Sequence, residues 1–298
     1  MVVCVKQVPD TKKITGNAMR EDGTVNRAAL PAIFNPEDRN ALEAALRVRE
    51  EHGGTVTVLT MGLPAACEVL REALVRGADR AVLITDRRAA ASDTLATSYI
   101  LACAVRSLKP DLVFCGRQAI DGDTAQVGPQ LAEKLGFTLV TYLEGLAMEG
   151  RRARVKRNVG SGTETVLADL PALFTVMETA NELRPAAMRK VMRFKKARGA
   201  AEVAKAVETE QPGAAPEARA AEVQRRLAAL KDQGLLIEQW GLDEIGADLA
   251  WCGGAGSPTR VHRIQSIVLA GGDYREFPPD LAGVQALIGE LIEDHTIG

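Results

Sequence analysis

The stretch GRQAIDGDTAQVGP, from Gly116 to Pro129, gathers the residues best suited to chemistry: Gly116, Gly122 and Gly128, with Arg117, Asp121, Asp123 and Thr124 between them. It follows the apolar run Asp111-Leu-Val-Phe-Cys115 and leads into an apolar-periodic segment ending near Leu135-Gly136. Strand, glycine-punctuated turn and helix in that order present backbone amides and a helix N-terminus to an anion. The stretch therefore reads as a cradle for the phosphates of an adenine nucleotide. It is neither GxGxxG nor a Walker A motif: no Lys-Ser/Thr pair follows the last glycine, so a P-loop NTPase is excluded. Two roles are open to the carboxylates. Asp123 could cap the helix and order the loop, leaving the phosphates to the amides of residues 122–127 and to Arg117. Alternatively Asp121 and Asp123 could hold Mg²⁺ for phosphoryl chemistry. The first is favoured, because no lysine or histidine lies nearby in sequence to stabilise a transferring phosphoryl group. A tight turn with no ligand is the remaining reading.

A cradle of this kind needs a sheet behind it, and the chain supplies one in order. Val2-Val3-Cys4-Val5, Thr55–Thr60, Ala81–Thr85 and Asp111–Cys115 are continuous apolar runs, the mark of strands buried on both faces. Helices separate them. Asn35-Pro36-Glu37-Asp38 marks one start, with Asn35 as N-cap, Pro36 at the first helical position and two acids toward the dipole; that helix runs to about Glu51. A second runs from about Pro64 to Arg76 and closes on Gly77. Ser92-Asp93-Thr94 caps a third through about Ser107. This alternation predicts an α/β fold, a doubly wound and mostly parallel sheet of Rossmann-like or adenine-nucleotide-hydrolase-like type with right-handed crossovers. Ligands then sit outside the carboxyl ends of the strands, where Cys4–Pro9, Thr60–Gly62, Thr85–Thr94 and Cys115–Val127 meet.

From Leu139 to Val176 the pattern alternates more, over Leu139–Leu146, Ala153–Asn158, Thr165–Asp169 and Leu173–Met177, which predicts an antiparallel extension of the sheet. Residues 11–32 read as a long loop with an Asp22-Gly23 turn. Residues 199–232 are helical, broken at Gln211-Pro212-Gly213, and the tail from Gly234 holds a glycine-bearing loop and a last amphipathic helix over about Pro279 to His295. The expected domains are a nucleotide-binding unit over 1–195, a helical insertion over 196–233 and a C-terminal arm over 234–298 that packs on a partner. The run Arg184–Arg198 is basic and carries Met188, Val191, Met192 and Phe194, so it is either a solvated face or an apolar anchor ringed by positive charge for docking a partner.

Composition narrows the class. A net charge of −2 gives no basic field for nucleic acid, and 4% aromatic residues leave few stacking platforms. The five cysteines never fall in a CxxC spacing and the three histidines are scattered, so no metal site is expected. The N-terminus MVVCVKQVPD enters a strand directly, with no signal peptide, and no run approaches membrane-spanning length. A cytoplasmic protein is expected.

The segments VVCVKQVPD, FNPEDRNALEAAL, MGLP, ALVRGADRAVLITD, SDTLAT and GRQAIDGDTAQVGPQLAEKLG, collinear over residues 1–195, resemble the β subunit of electron-transfer flavoproteins. The resemblance implies a heterodimer in which an α subunit carries FAD and takes electrons from acyl-CoA or other flavin dehydrogenases. It places the β-subunit nucleotide on Cys4, Lys6 and Pro9, on Asn35 and Asp38, on Met61 and Gly62, and on the loop residues Gly116, Arg117, Gln118, Asp121, Gly122, Asp123, Thr124, Ala125, Gln126 and Val127. It places dehydrogenase docking around Arg184, Met188 and Met192, with Met188 as apolar anchor. The segment from Cys252-Gly253 to Thr259 resembles a family feature of the arm. Two departures stand out: Asn158-Val-Gly-Ser-Gly162 lacks the family's usual acidic residue, and residues 199–232 are longer than usual.

The family divides by nucleotide. Conventional members hold AMP as a structural ligand and carry electrons between dehydrogenases and a quinone oxidoreductase. Bifurcating and Fix-type members hold a second FAD that takes hydride from NADH and sends one electron to the α-subunit FAD, the other to ferredoxin or flavodoxin. SDTLAT and DGDTAQVGP resemble the second group, and the helix start at Asp93, Thr94 and Thr97 would supply extra amides for a pyrophosphate. Ser-Asp-Thr is equally an ordinary N-cap. The resemblance implies FAD chemistry with no side-chain general base. An ATP-binding regulatory protein or nucleotide hydrolase on the same fold, and a scaffold with a vestigial nucleotide, are the readings from other classes.

Overall fold

Short apolar runs bounded by helices can bury both faces only in the interior of a sheet, and the chain builds that interior first. The computed structural model describes residues 1–10, 30–259 and 276–293. In order the elements are β1 (Val2–Cys4), β2 (Gln7–Pro9), β3 (Ala32–Phe34), α1 (Pro36–His52), β4 (Thr57–Met61), α2 (Cys67–Arg76) and β5 (Arg80–Ile84). Next come α3 (Thr94–Leu108), β6 (Leu112–Gly116), α4 (Val127–Leu135), β7 (Thr138–Glu149), β8 (Arg152–Asn158), β9 (Thr163–Asp169) and β10 (Ala172–Val176). The chain continues with α5 (Met188–Phe194), β11 (Arg198–Gly199), α6 (Ala200–Glu210), α7 (Pro216–Asp232), β12 (Leu236–Trp240) and α8 (Leu281–Glu293). The Asp22-Gly23 turn and residues 294–298 at the end of the last expected helix lie outside the described residues.

The main sheet has the strand order β11-β12-β5-β4-β1-β6-β10-β7-β8-β9, and β2 pairs with β3 in a small antiparallel sheet of its own. Strands from β11 to β7 run parallel, and β8 and β9 add the antiparallel hairpin. The doubly wound α/β architecture expected from the apolar runs is present. One face of the sheet carries Val3, Phe114 and Phe174 against α1 and α2; the other carries Val2, Cys4, Val113 and Cys115 against α3 and α4. The chain steps outward from β1 through β4 to β5 and returns on the other side of β1 with β6. That reversal is the switch point at which open α/β sheets leave a crevice.

Two placements differ from the sequence expectation. Leu173–Met177 was expected in the antiparallel extension, but β10 lies between β6 and β7 and is parallel to both. Its five residues are all buried, so its near-continuous apolar sequence is that of an interior strand covered on both faces. The tail from Gly234 was expected to be an arm holding a glycine-bearing loop and a last helix, with no strand, but Leu236–Trp240 is a strand parallel to β5, with Glu238 beside Val82 and Trp240 beside Ile84. Helices α6 and α7 are therefore the crossover between two parallel strands. Arg71 on α2 fastens this crossover, donating to Ala197 O at 3.0 Å and pairing with Glu202 at 2.7 Å. The described residues up to Thr259 form one compact unit, which takes in residues 196–233. Residues 276–293 belong to a second unit, where Gly283 N donates to Asp280 Oδ1 at the start of α8.

Candidate nucleotide site

At the switch point Cys4 of β1 stands beside Cys115 of β6 in register, and the crevice above them is a cleft of about 430 Å³. Its walls are Cys4, Lys6, Asp38, Met61, the first turns of α3 and the loop from Gly116 to Gly128 apart from Ile120. Of the sequence-predicted cofactor residues, all line the cleft except Pro9, Asn35 and Gly62. Pro9 lies in β2 opposite Ala32, and the amide of Gly62 donates to Ile84 O.

Asn35 works from beneath. As N-cap its side chain was expected to satisfy its own helix, yet it makes no cap bond. Instead Asn35 Nδ2 donates to Gln118 O at 2.8 Å and Oδ1 accepts the amide of Ile120 at 3.2 Å. Glu37, expected only to complement the dipole, and Asp38, expected also to hold the nucleotide, do the same. Glu37 Oε2 accepts the amide of Gln118 at 2.9 Å and its other oxygen pairs with Arg117 at 3.0 Å. Asp38 Oδ2 accepts the amide of Lys6 at 2.8 Å, and Oδ1 accepts that of Gly116 at 3.0 Å. The start of α1 thus ties together the loops that leave β1 and β6. Burial raises the Asp38 carboxyl to about 7, against the hydrogen bonds from Asn35, Lys6 and Gly116 that favour its anion.

Two glycines of the loop are dictated by packing. A Cβ on Gly116 would stand 2.4 Å from Asp38 Oδ1, and one on Gly128 would stand 2.7 Å from Thr175 Cγ2. Gly122 has open space where a side chain would be, which lets a ligand approach the backbone. Asp123 and Ala125 hold left-handed backbone, with φ of 49° and 52°, a strain that clusters at ligand-binding turns. Asp123 does not cap a helix: Oδ1 accepts from Gln118 Nε2 at 2.9 Å. Asp121 pairs with Lys6 at 2.7 Å. The N-terminus of α4 opens on the cleft at Gln126–Gly128 with no side-chain cap, so its first amides remain for an anion. Glycine clearance, strained turn and uncapped helix start together fit the phosphates of a nucleotide.

The opposite wall is the start of α3. Asp93 caps it, accepting the amide of Ala96 at 3.0 Å, and also accepts the amide of Thr259 at 3.1 Å. Burial raises its carboxyl, but these amides outweigh it and hold the group below the usual range. Ser257 Oγ accepts the amide of Asp93, and Ser92 Oγ accepts that of Gly253, so the segment 252–259 braces this wall. The Ala96 amide goes to the Asp93 carboxylate and the Thr97 amide to Asp93 O, so this wall offers a ligand hydroxyls rather than extra amides; Thr94 Oγ1 donates across the cleft to Gln126 Oε1 at 2.8 Å. Leu101 is the lining residue outside every residue and segment that the sequence placed at the site. Leu101 follows Thr97 by one helical turn, which was the available signal.

The expected docking residues divide. Met188 and Met192 are 72% and 52% exposed. Arg184 is not free: it pairs with Glu43 at 2.8 Å and also with Glu50, which raise its pKa. Among the described residues no three His, Cys, Asp or Glu could hold a metal ion, and no helix is long and apolar enough to cross a membrane.

Comparison with known proteins agrees with this geometry. The electron transfer flavoprotein domain matches residues 22–222. An electron transfer flavoprotein subunit beta of Clostridium acetobutylicum is 37% identical over 100% of this chain and 99% of its own. The caffeyl-CoA reductase-Etf complex subunit CarD of Acetobacterium woodii is 39% identical, again over 100% and 99%. Protein FixA of Azorhizobium caulinodans is 49% identical over 66% of this chain and 72% of its own. With a family match over most of the chain and relatives aligned end to end, the chain belongs to the electron transfer flavoprotein family, as a β-subunit member.

Proposed function

We propose that this chain is the β subunit of a heterodimeric, bifurcating electron-transfer flavoprotein and that its cleft holds FAD. The observation that carries the reading is the extent of the cleft. It runs from the Gly116–Gly128 loop and the uncapped start of α4 to Ser92 and Asp93 and to Thr94 and Thr97 on α3, so it offers polar groups to a ligand longer than a mononucleotide. Bound FAD supplies hydride acceptance from NADH and one-electron transfer. The chain's own residues bind and orient. The uncapped start of α4 holds phosphate, the open space at Gly122 admits it to the loop, and Asn35, Glu37 and Asp38 fix the loop. Cys115 presents a neutral thiol at the cleft floor, because hydrogen bonding to Cys4 and burial raise it well above its ordinary range.

The partners in this reading are an α subunit that would carry FAD, its dehydrogenase, and ferredoxin or flavodoxin. The dehydrogenase, of acyl-CoA or similar flavin type, docks on the exposed Met188 and Met192 amid Arg189, Lys190 and Arg193. The relatives favour this class, since one is a subunit of a caffeyl-CoA reductase-Etf complex and another is a FixA protein. A cytoplasmic location suits these soluble carriers.

Purified heterodimer, released from its cofactors by denaturation and analysed by chromatography, should yield about two FAD per dimer and little AMP. One FAD with stoichiometric AMP would replace this reading with the conventional single-flavin carrier, whose AMP needs only the loop side of the cleft. A nucleotide hydrolase is disfavoured because Asp121 is engaged by Lys6 and Asp123 by Gln118.

A further inference from the structure

One face of α1 is polar where a helix lying on a sheet is ordinarily either apolar or wet. Glu37, Asn40, Glu43, Arg47 and Glu50 follow one another at spacings of three and four, so they form a single stripe down the helix. Glu37, Asn40 and Glu43 are buried, and what covers them downstream of the cleft is the segment between β10 and α5. Asn40 Nδ2 donates to Glu178 O and to Asn181 O, both at 3.0 Å, and Asn181 Nδ2 returns a bond to Asn40 O at 3.0 Å. Arg47 donates to Glu182 O at 2.8 Å. Arg184 closes the seat with its pairs to Glu43 and Glu50, which bury a carboxylate that Arg47 also contacts. On the helix, 13 residues separate Glu37 from Glu50, which at 1.5 Å per residue is roughly 20 Å.

We propose that this stripe of α1 is the seat that sets where the exposed Met188 and Met192 are presented, and that Glu43, Asn40 and Asn181 are positioning residues for partner docking. The inference rests on the reading of α5 as the docking surface, and goes beyond it by saying what holds that surface in place. A short segment with exposed methionines would otherwise lose its orientation to chain entropy on its own. The paired amides of Asn40 and Asn181 give direction, and the pair of buried Glu43 with half-buried Arg184 adds a bond that fails if either group shifts.

The test uses the intact heterodimer with an acyl-CoA dehydrogenase as the probe, and the variants Glu43→Gln, Asn181→Ala and Met188→Ala. In the first two, amide hydrogen exchange over residues 178–194 should quicken by about tenfold, as local opening becomes easier. The KM for the dehydrogenase should rise several-fold, while kcat and bound nucleotide stay unchanged. Met188→Ala should raise the KM with no change in exchange. Unchanged exchange in both seat variants would overturn the proposal, and so would faster exchange with an unaltered KM while Met188→Ala raises it. An unaltered KM in Met188→Ala would instead strike at the docking reading, and the exchange data would then decide the seat alone.

Discussion

Asp38 and Gly116 are 78 residues apart in sequence, yet Asp38 Oδ1 accepts the Gly116 amide at 3.0 Å and would lie 2.4 Å from any Cβ placed there. The carboxylate fills the space that a side chain on residue 116 would need. It also spans two strands, since its second oxygen takes the amide of Lys6 after β1. Floor and loop of the cleft are therefore one packed unit.

Gly116→Ala should be among the most damaging small substitutions in the chain. The neighbours of the new methyl are the Asp38 carboxylate and the backbone of Glu37 and Asp38, none of which can rotate away. Overpacking of this kind costs about 1–3 kcal/mol or more. Urea unfolding should show a lower midpoint, and chromatography of the purified heterodimer should show substoichiometric nucleotide. A full complement of nucleotide at wild-type stability would contradict the packing described.

The Asp38 carboxyl gives stability a pH dependence of defined sign. Folded, it keeps its proton up to about pH 7; unfolded, it ionises near the ordinary aspartate value of about 4. Between those limits the native state holds more protons than the unfolded chain, so stability contributed at this site falls as pH rises. Asp38→Asn removes the titration. The stability difference between wild type and variant, followed by urea melts on nucleotide-free protein, should shift against the wild type between pH 4 and pH 7. The shift should be on the order of 4 kcal/mol at most, from about three pKa units. A flat difference would place the carboxyl in its ordinary range.

Gly128 and Thr175 form a second tight pair, and here relief is available. Gly128→Ala drives a methyl to 2.7 Å from Thr175 Cγ2 and should cost about 1–3 kcal/mol. Thr175→Ser deletes that methyl and keeps the hydroxyl that accepts the Tyr142 amide. The double variant should recover most of the loss in thermal melts, a non-additivity expected of residues in contact.

Asp93→Ala should loosen the α3 wall in two places at once. It removes the cap on Ala96 and the acceptor for the Thr259 amide. Loss of an N-cap alone costs about 1 kcal/mol. If the cleft holds FAD across both walls, FAD retention on a desalting column should fall as well; a mononucleotide confined to the loop side should be retained as before.

What the sequence determined by itself is the material of the fold and the character of the site. Apolar runs such as Val2–Val5 and Asp111–Cys115, separated by capped helices, suffice for a doubly wound sheet, because strands so uniformly apolar have no stable place except between two helical layers. The absence of a Walker lysine after Gly128 excluded a P-loop NTPase, which is what turned the expectation for this loop from cleaving a nucleotide to holding one. Tertiary structure decided which side chains serve that loop. Asn35 and Glu37 carry every local sign of a helix start, and local signs cannot reveal that their hydrogen bonds go to Gln118 and Ile120, brought beside them by the order β1-β6-β10. Arg184 reads as one more charge in a basic run, and only the neighbouring face of α1 makes it the partner of Glu43. The parallel setting of β10 was hidden likewise, since an apolar pentapeptide fits either direction until its neighbours are fixed. Propensity and periodicity act over a few residues, whereas these contacts close loops of roughly 80 to 140, and only the folded sheet puts their ends within hydrogen-bonding reach.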